Sequence, residues 1–551
     1  MFHSLHVASA LAGFASWVVL NRHSIRGEYG LLIVIVAPAL LYYQIRTYYA
    51  EPALKITLEI VGYYVLTLSL ATVSYRLSPF HPLAKYPGPL WWRVSSLPLV
   101  FVSYGGRRHL VIDALHKKYG RFVRIAPNAL SFNALGAFDA IYGSPNAMMK
   151  GHSYKTPGQL SAMSLFFQHT RQEHATRKQT WAQAFTPAAL DNFFPPLERR
   201  TWQLTDCIEE RSDADGIVDL LECLCHWSYD FMGEMVFGGS NELELMRNGD
   251  PHELVMGGKK ATIIHDSFGH ALWLMDIMWH IPAGRSMHRL LEIAEDMMRT
   301  RVQAGAVKIR DLTSYLLDGH PRTGQQIPLA DLQLDALVAI QGGSDNTGTT
   351  LGFAVWGMLS SPSTYQALQA ALDKAFPDPL APLDKKTLAS IPLLDAVLTE
   401  ALRLASPYFL PRVTPEEGAI IEGQAVPGGT MVALAAYSQQ VAEENFFPDP
   451  LKFRAERWLP GGLGPGSITN KAALFSFSTG PDMCIAKTFA MQEMRLCLSR
   501  LVLTFDIALA PGFDVDEFYG GLRNMRTTLL DKPLMVKVTR RAGMKTPIDA
   551  Y

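Results

Sequence analysis

One cysteine of the chain stands where chemistry at sulfur would be favoured. Cys484 follows a turn that contains Gly480 and Pro481, and it precedes an apolar, helix-compatible run over residues 491–505. Backbone N–H groups converge at the beginning of a helix, so this position favours the thiolate, the form of cysteine that binds iron. The alternative is a buried cysteine that acts only as a small hydrophobic side chain.

A second candidate site lies in a long, apolar, predicted helix. Gly342 and Gly343 interrupt this helix and are followed by Asp345, Asn346 and Thr347. A glycine in the middle of a helix costs about 1 kcal/mol relative to alanine. The pair therefore indicates that the backbone opens here or that a ligand approaches closely.

A third pattern concerns charge rather than chemistry. Glu400 and Arg403 lie three residues apart in a leucine-rich predicted helix, so they share one face. Buried charges at this spacing need a further partner. The segment Phe-Arg-Ala-Glu-Arg-Trp, which contains Arg457, follows about fifty residues later.

Together these motifs resemble those of the cytochrome P-450 superfamily, the heme-thiolate monooxygenases. The pattern Phe-x-x-Gly-x-x-x-Cys, with Phe477, Gly480 and Cys484, resembles the family's cysteine loop, whose thiolate is the axial heme ligand and favours O–O cleavage. Glu-x-x-Arg and the later arginine precede that loop in the family's order. The resemblance implies a b-type heme held by Cys484 and a structural charge triad of Glu400, Arg403 and Arg457.

The resemblance also assigns roles in oxygen chemistry. It places Asp345 at the acid of the family's central helix, and Asn346 where the family usually has an alcohol, with Thr347 one residue later. These three residues are the predicted catalytic group. An amide can hold a water molecule through its donor and acceptor, but it relays protons less well than a hydroxyl.

The heme propionates need cations in a partly dry site. A predicted helix over residues 173–185 resembles the family's C helix and carries His174 and Lys178 to the propionates, with Arg177 as a further candidate. Arg412, in a later strand-like segment, is expected to reach a propionate as well. For the basic residues of the helix over 173–185, the alternative is a helix face that is simply exposed to solvent.

The cysteine loop departs from the family pattern twice. Asp482 stands where the family has an arginine bonded to a propionate, and Ala486 replaces a glycine. An extra anion near two carboxylates is unfavourable by about a few kcal/mol if it is buried and unscreened. Compensation by His174, Lys178 and Arg412, or rotation of Asp482 into solvent, are the two solutions, and a heme-free relic of the fold is the alternative.

Composition bounds the remaining choices. The chain has 551 residues, 48% hydrophobic content and a formal net charge of −1, which gives no indication of nucleic acid binding. Its five cysteines show no paired spacing, so reduced thiols are expected.

The N-terminal part has the pattern of a membrane anchor. Apolar runs cover residues 5–20, 31–43 and 56–74. About twenty residues span a bilayer, so the third run is long enough, the first is borderline and the second is short unless it tilts or lies re-entrant. Basic residues after the first and third runs place the large C-terminal part in the cytosol. A cleaved signal sequence is the alternative for the first run.

The predicted organisation has three parts: a membrane anchor with up to three transmembrane helices over 1–78, a Pro-rich hinge over 79–92, and a heme-thiolate monooxygenase domain over 93–551. The hinge closely resembles that of microsomal fungal members of the superfamily, and its prolines make it rigid. The expected fold is mainly α with small β sheets, the cytochrome P-450 fold, preceded by transmembrane helices at the endoplasmic reticulum.

The expected activity follows from this resemblance. It is the insertion of one oxygen atom from O2 into a lipophilic small molecule, a terpenoid or another fungal secondary metabolite. Electrons would come from a separate NADPH-dependent cytochrome P-450 reductase, since the chain has no Gly-x-Gly-x-x-Gly fingerprint. Two alternatives stay open: altered chemistry, such as a rearrangement, a dehydration or a peroxide-driven reaction, and a non-catalytic, membrane-anchored pathway partner.

Overall fold

Three apolar helices lead into a helical body in this computed structural model. It describes residues 2–48, 52–143, 145, 147–155, 162–241, 243–305, 307, 309–405 and 408–547. The body is mainly α with small β sheets, which confirms the predicted fold class.

The N-terminal helices are α1 (Phe2–Leu20), α2 (Gly27–Tyr48) and α3 (Ala53–Leu77). Helices α2 and α3 are long and apolar enough to cross a membrane. The prediction that the second run is short is therefore wrong, because polar and small residues at both ends of that run join the same helix. Helix α1 packs on α3 so closely that a Cβ at Gly13 would lie 2.5 Å from the Tyr64 carbonyl oxygen.

The hinge between anchor and body is held by the body. Leu83 and Tyr86 are buried, and the Tyr86 hydroxyl donates to the Ala425 carbonyl at 3.0 Å. The Pro87 carbonyl accepts from the Arg124 N–H at 2.7 Å. These contacts fix the path of the chain between the apolar helices and the body.

Nineteen helices form the helical part of the body within the described residues. They are α4 (Leu90–Val94), α5 (Leu97–Tyr104), α6 (Arg108–Tyr119), α7 (Gly136–Tyr142), α8 (Arg171–Ala182), α9 (Pro187–Arg211), α10 (Leu220–Phe237), α11 (Leu245–Asn248), α12 (Leu254–Phe268), α13 (Leu272–Trp279), α14 (Arg285–Ala304), α15 (Leu312–Leu317), α16 (Leu329–Leu359), α17 (Pro362–Ala375), α18 (Lys385–Ala389), α19 (Pro392–Ala405), α20 (Ala436–Gln440), α21 (Lys487–Thr504) and α22 (Val515–Gly520).

The strands are short and lie beside the helices. They are β1 (Phe122–Ala126), β2 (Ala129–Phe132), β3 (Met149–Lys150), β4 (Ile217–Asp219), β5 (Arg412–Val413), β6 (Ala419–Ile421), β7 (Gln424–Val426), β8 (Met431–Leu434), β9 (Phe446–Phe447), β10 (Ile468–Thr469), β11 (Phe505–Leu509), β12 (Leu522–Asn524), β13 (Thr528–Leu530) and β14 (Met535–Arg540). The largest sheet has the order β1-β2-β8-β5-β3, and a second has the order β11-β14-β4.

Helix α16 is the centre of the body. It runs without a break through Gly342 and Gly343, so the predicted interruption is wrong. The two glycines have different reasons to be small. A Cβ at Gly343 would lie 2.6 Å from the Met232 sulfur, whereas a Cβ at Gly342 would meet no atom within 4 Å. Gly343 therefore allows α10 to pack closely against α16. At Gly342, the missing side chain leaves open space beside the helix.

Candidate functional site

The loop before α21 presents Cys484. A short 3-10 turn, Gly480–Asp482, precedes it, and Gly480 has a φ of 65°, which favours glycine. The Cys484 N–H donates to the Phe477 carbonyl at 3.0 Å, which closes the loop. Burial raises the pKa of the Cys484 thiol, while the Ala486 N–H and Lys178 act in the opposite direction.

Cys484 differs from the other cysteines of the chain. The four others, Cys207, Cys223, Cys225 and Cys497, are buried within helices, whereas Cys484 is half-buried in a loop. All five are free thiols, as predicted.

Asp482 lies inside a cluster of cations rather than in solvent. Its carboxylate oxygens are 3.7 Å from the Lys150 Nζ, 3.3 Å from the His174 Nε2 and 3.4 Å from the Arg412 Nη2. Lys178 approaches from α8 but donates to the carbonyls of Pro481 and Met483, at 2.7 and 3.0 Å. The structure thus brings the predicted cations His174, Lys178 and Arg412 together and adds Lys150.

This cluster has more positive charge than it can pair. When all three are protonated, Lys150, Lys178 and Arg412 carry three positive charges against the single carboxylate of Asp482, an excess of two. Burial lowers the pKa of His174 to about 4, so the imidazole adds no charge at neutral pH. The same effect lowers the pKa of Lys150 to about 7, although Asp482 opposes it, so without a further anion this lysine is about half-protonated at neutral pH. Buried excess charge of this kind requires anionic partners.

The Arg177 side chain contacts a different part of the protein from His174 and Lys178, which lie on the same helix, α8. Its guanidinium binds Asp335 on α16, with an Nη1 to Oδ2 distance of 2.6 Å, and it also pairs with Asp331. The suggestion that Arg177 joins His174 and Lys178 is wrong, because the residue ties α8 to α16 instead.

On α16, Asp345 and Asn346 border a cavity, and their hydrogen bonds differ. The Tyr229 hydroxyl donates to Asp345 Oδ1 at 3.1 Å, and burial raises the pKa of Asp345 to about 6. Asn346 Oδ1 accepts from the hydroxyls of Tyr408 at 3.0 Å and Thr527 at 2.7 Å. Its Nδ2 donates to the Gly342 carbonyl at 2.9 Å. The amide is therefore largely engaged by the protein.

Thr347 does not line the cavity. Its hydroxyl donates to the Glu493 carboxyl on α21 at 2.6 Å, and both side chains are buried. Burial raises the pKa of Glu493 to about 8, so this group is neutral at pH 7. Thr347 thus connects α16 to α21. Its hydroxyl does not take the place of the alcohol side chain that the family usually has at the position of Asn346.

The cavity beside α16 has a volume of about 190 Å³. Helices α12, α13 and α14 contribute to its walls. The turn of the β12–β13 hairpin closes one side with Arg526 and Thr527. Strand β14, which follows this hairpin in the chain, pairs with β11 and β4 in a different sheet. Apolar lining residues are Phe166, Phe167, Ala261, Trp279, Met287, Leu290, Leu291, Leu334, Leu337 and Val338.

The predicted charge triad comes together in the core. Glu400 is 2.7 Å from the Arg403 Nη2 and 3.0 Å from the Arg457 Nε, and all three side chains have 0% exposure. The Trp458 indole N–H and the Arg454 backbone N–H also donate to this carboxylate. Although burial favours the neutral acid, the two arginines hold the pKa of Glu400 below its usual value.

A sequence model of the cytochrome P-450 family matches residues 86–538, which is most of the chain. The chain belongs to the cytochrome P-450 family. Cytochromes P-450 use a heme iron with a cysteine thiolate as axial ligand, and this chain is an oxidoreductase of the monooxygenase type.

Several curated fungal cytochromes P-450 are similar to this chain over most of their length. Cytochrome P-450 67 of Uromyces fabae is 30% identical over 490 residues, which cover 86% of this chain and 89% of the relative. Tryprostatin B 6-hydroxylase of Aspergillus fumigatus is 28% identical, with 88% and 86% covered. The monooxygenase cpaH of Aspergillus oryzae is 29% identical, with 88% and 93% covered.

The residues of this cytochrome P-450 fit a heme. A heme carries two propionates, and the cluster around Asp482 has an excess of two positive charges. The Nε of Arg412 is buried without a hydrogen-bond partner within the described part of the chain. Lys150, Lys178 and Arg412 would hold the propionates, and Cys484 would ligate the iron. Asp482, the main reason to consider a heme-free relic, is compensated by Arg412 and Lys150.

Sequence reasoning missed three residues of this site. Lys150 lies on a two-residue strand without any motif, and Glu493 lies in an apolar helix face. Tyr408 reaches Asn346 from a distant segment. The one available signal was Glu493, an acidic residue among the mostly apolar neighbours that share its face of α21.

Proposed function

We propose that Cys484 is the axial thiolate ligand and that this cytochrome P-450 inserts one oxygen atom from O2 into a C–H or C=C bond of a lipophilic secondary metabolite. The observation that carries the proposal is the cluster around Asp482. When Lys150 is protonated, this cluster surrounds the segment two residues before Cys484 with two more positive charges than the protein pairs. A dianionic cofactor next to the thiolate balances them.

The heme, when bound, supplies the reductive activation of O2 at a thiolate-ligated iron. The protein's own contribution is proton handling and exclusion of water. Asp345 has a pKa near 6, so its carboxyl exchanges protons close to neutral pH. Asn346 cannot pass on a proton as an alcohol does, because its oxygen already accepts two hydrogen bonds. Asp345 is therefore the proposed proton donor of the site.

The engaged amide of Asn346 favours a second candidate function. A cytochrome P-450 with a weak proton relay is suited to a rearrangement, a dehydration or a peroxide-driven reaction, which need less proton delivery to O2. Turnover with NADPH and reductase, compared with turnover on added peroxide, distinguishes the two functions. Product with peroxide alone would favour the second one.

The proposed electron donor is an NADPH-dependent cytochrome P-450 reductase, and the proposed location is the endoplasmic reticulum membrane with the body in the cytosol. Helices α2 and α3 support the anchoring. Large apolar side chains support contact with lipid, because Phe80 and Trp91 in the hinge and Phe101 beyond it are largely exposed.

The proposed substrate class is a terpenoid or another fungal secondary metabolite. The mostly apolar walls of the cavity support a lipophilic molecule. Relatives named for pathway reactions, such as tryprostatin B 6-hydroxylase, support secondary metabolism.

The test uses membranes from a host that contains this chain and a fungal reductase. With NADPH and isotope-labelled O2, we expect a host metabolite to gain one labelled oxygen atom, as read by mass spectrometry. Omission of the reductase and the variant Cys484→Ala are the controls, and both should abolish the product. A product whose new oxygen comes from water, or one that forms equally in Cys484→Ala, would contradict the proposal.

A further inference from the structure

Two arginines share one carboxylate beside the cavity. Asp266 on α12 is 2.8 Å from the Arg108 Nη2 and 2.8 Å from the Arg526 Nε. All three side chains are at least nine-tenths buried. Two positive charges against one negative charge leave an excess of one.

The titratable groups that contact the two arginines do not remove this excess. Burial lowers the pKa of His270, which contacts Arg108, to about 3, so the imidazole is neutral. Although burial favours the neutral acid, Arg108 and Arg526 lower the pKa of Asp266 to about 2, so the carboxylate is fully ionised at neutral pH. The excess of one positive charge is therefore present under physiological conditions, and a buried unpaired charge is costly.

Arg108 has its hydrogen bonds satisfied. Its Nε donates to Asn524 Oδ1 at 3.0 Å, and its Nη2 donates to the Asn524 carbonyl at 3.2 Å. Its Nη1 contacts Ser103 and His270. This arginine is a structural residue that joins α6 to α12 and the hairpin.

Arg526 differs from Arg108 because one nitrogen of its guanidinium has no hydrogen-bond partner within the described residues. Its Nε binds Asp266, its Nη2 donates to the His265 carbonyl at 3.3 Å, and the group lies over the Tyr154 ring at 4.6 Å. Its Nη1 is buried without a hydrogen-bond partner within the described residues. The side chain is 5% exposed and lines the cavity. A buried N–H group without an acceptor costs free energy, unless a ligand accepts its hydrogen bond.

We propose that the Nη1 of Arg526 binds a carboxylate of the substrate, so that the substrate class is a lipophilic carboxylic acid. This inference rests on the proposed monooxygenase function and makes its substrate class narrower. A guanidinium edge recognises a carboxylate by charge-assisted hydrogen bonds. The apolar walls formed by Trp279, Met287 and Leu290 then accommodate the rest of the molecule.

The test compares two matched probes, decanoate and decan-1-ol, on the purified full-length holoprotein at neutral pH. Binding is measured by equilibrium dialysis, which needs no turnover. We expect the wild-type protein to bind decanoate about 10- to 100-fold more tightly than the alcohol. Arg526→Gln should lose this preference through weaker binding of the acid alone, and Arg526→Lys should keep part of it.

The matched control is Arg523→Gln, on the same hairpin. Arg523 pairs with Asp531 and does not line the cavity, so its removal should leave the preference unchanged. Circular dichroism and heme content verify that each variant is folded. Should Arg526→Gln fail to fold, the wild-type preference and Arg526→Lys decide. Equal wild-type affinities for the two probes, or an Arg526→Gln protein that binds decanoate as tightly as wild type, would overturn the inference.

The outcome separates the inference from the proposed function. A protein that prefers the acid but shows no NADPH-dependent oxidation supports the Arg526 site and contradicts the monooxygenase proposal. A protein that oxidises a metabolite but binds both probes equally supports the monooxygenase proposal and overturns the Arg526 site.

Discussion

Replacing Lys150 by methionine should make the protein lose its heme faster. Lys150 is 7% exposed, and its Nζ lies 3.7 Å from Asp482 and within hydrogen-bond distance of the Leu165 and Phe166 carbonyls. Together with Arg412, it offsets the anion of Asp482 in the cysteine loop. The variant lowers the excess positive charge of the cluster from two to one, so two propionates would face too few cations.

The expected size of the effect is estimated from the distance between the Lys150 ammonium and the Asp482 carboxylate. A pair of unit charges about 4 Å apart at an effective dielectric constant of about 20 interacts by about 4 kcal/mol. Desolvation of the lysine takes back a part of this, which leaves about 1–3 kcal/mol. Heme should therefore leave Lys150→Met about 10- to 100-fold faster than the wild-type protein.

The assay is transfer of heme from the oxidised protein to an excess of apomyoglobin, followed by absorbance. Lys150→Arg keeps the charge and should lose heme at nearly the wild-type rate. Lys452→Met, at an exposed surface lysine, is the control for loss of a lysine elsewhere. If Lys150→Met retains heme as long as wild type, the compensation of Asp482 by Lys150 is wrong.

Three further predictions concern the core and the central helix. Glu400→Gln should lower the free energy of unfolding by about 3–5 kcal/mol in urea denaturation, because it leaves two buried arginines without a counter-charge; an unchanged midpoint would contradict this. Burial raises the pKa of Asp345 from 3.8 to about 6, so its ionisation costs stability as pH rises through this window. Asp345→Asn should therefore raise the free energy of unfolding by about 1–3 kcal/mol near pH 7, with a gain that shrinks as pH falls toward 4, and should slow NADPH-driven turnover; a gain that grows at low pH would reverse the sign. Asn346→Thr should increase product per NADPH about tenfold if the amide limits proton delivery, and equal coupling in both proteins would show that it does not.

The parts of the site that sequence reasoning reached are those fixed by local spacing. Glu400 and Arg403 share a helix face, and the positions of Gly480 and Cys484 follow from one short turn. Arg457 was reached only through the family's order of motifs, since nothing local connects it to Glu400.

The missed parts depend on pairing between distant segments. Lys150 reaches Asp482 because β3 pairs with β5, where Lys150 lies opposite Arg412, and a two-residue strand has no periodicity to read. Tyr408 and Thr527 meet at Asn346 from separate segments, so the engagement of that amide was invisible in the sequence. Arg177 was misplaced because helical spacing alone does not tell which neighbour each face meets.

Ligation of the heme iron by the Cys484 sulfur is the central claim, and the absorbance of the reduced protein with CO tests it most directly. The wild-type protein should show the strongly red-shifted band typical of thiolate ligation. Cys497→Ala, which removes a buried cysteine of α21, should keep that band, and Cys484→Ala should lose it. A red-shifted band that persists in Cys484→Ala would contradict the assignment.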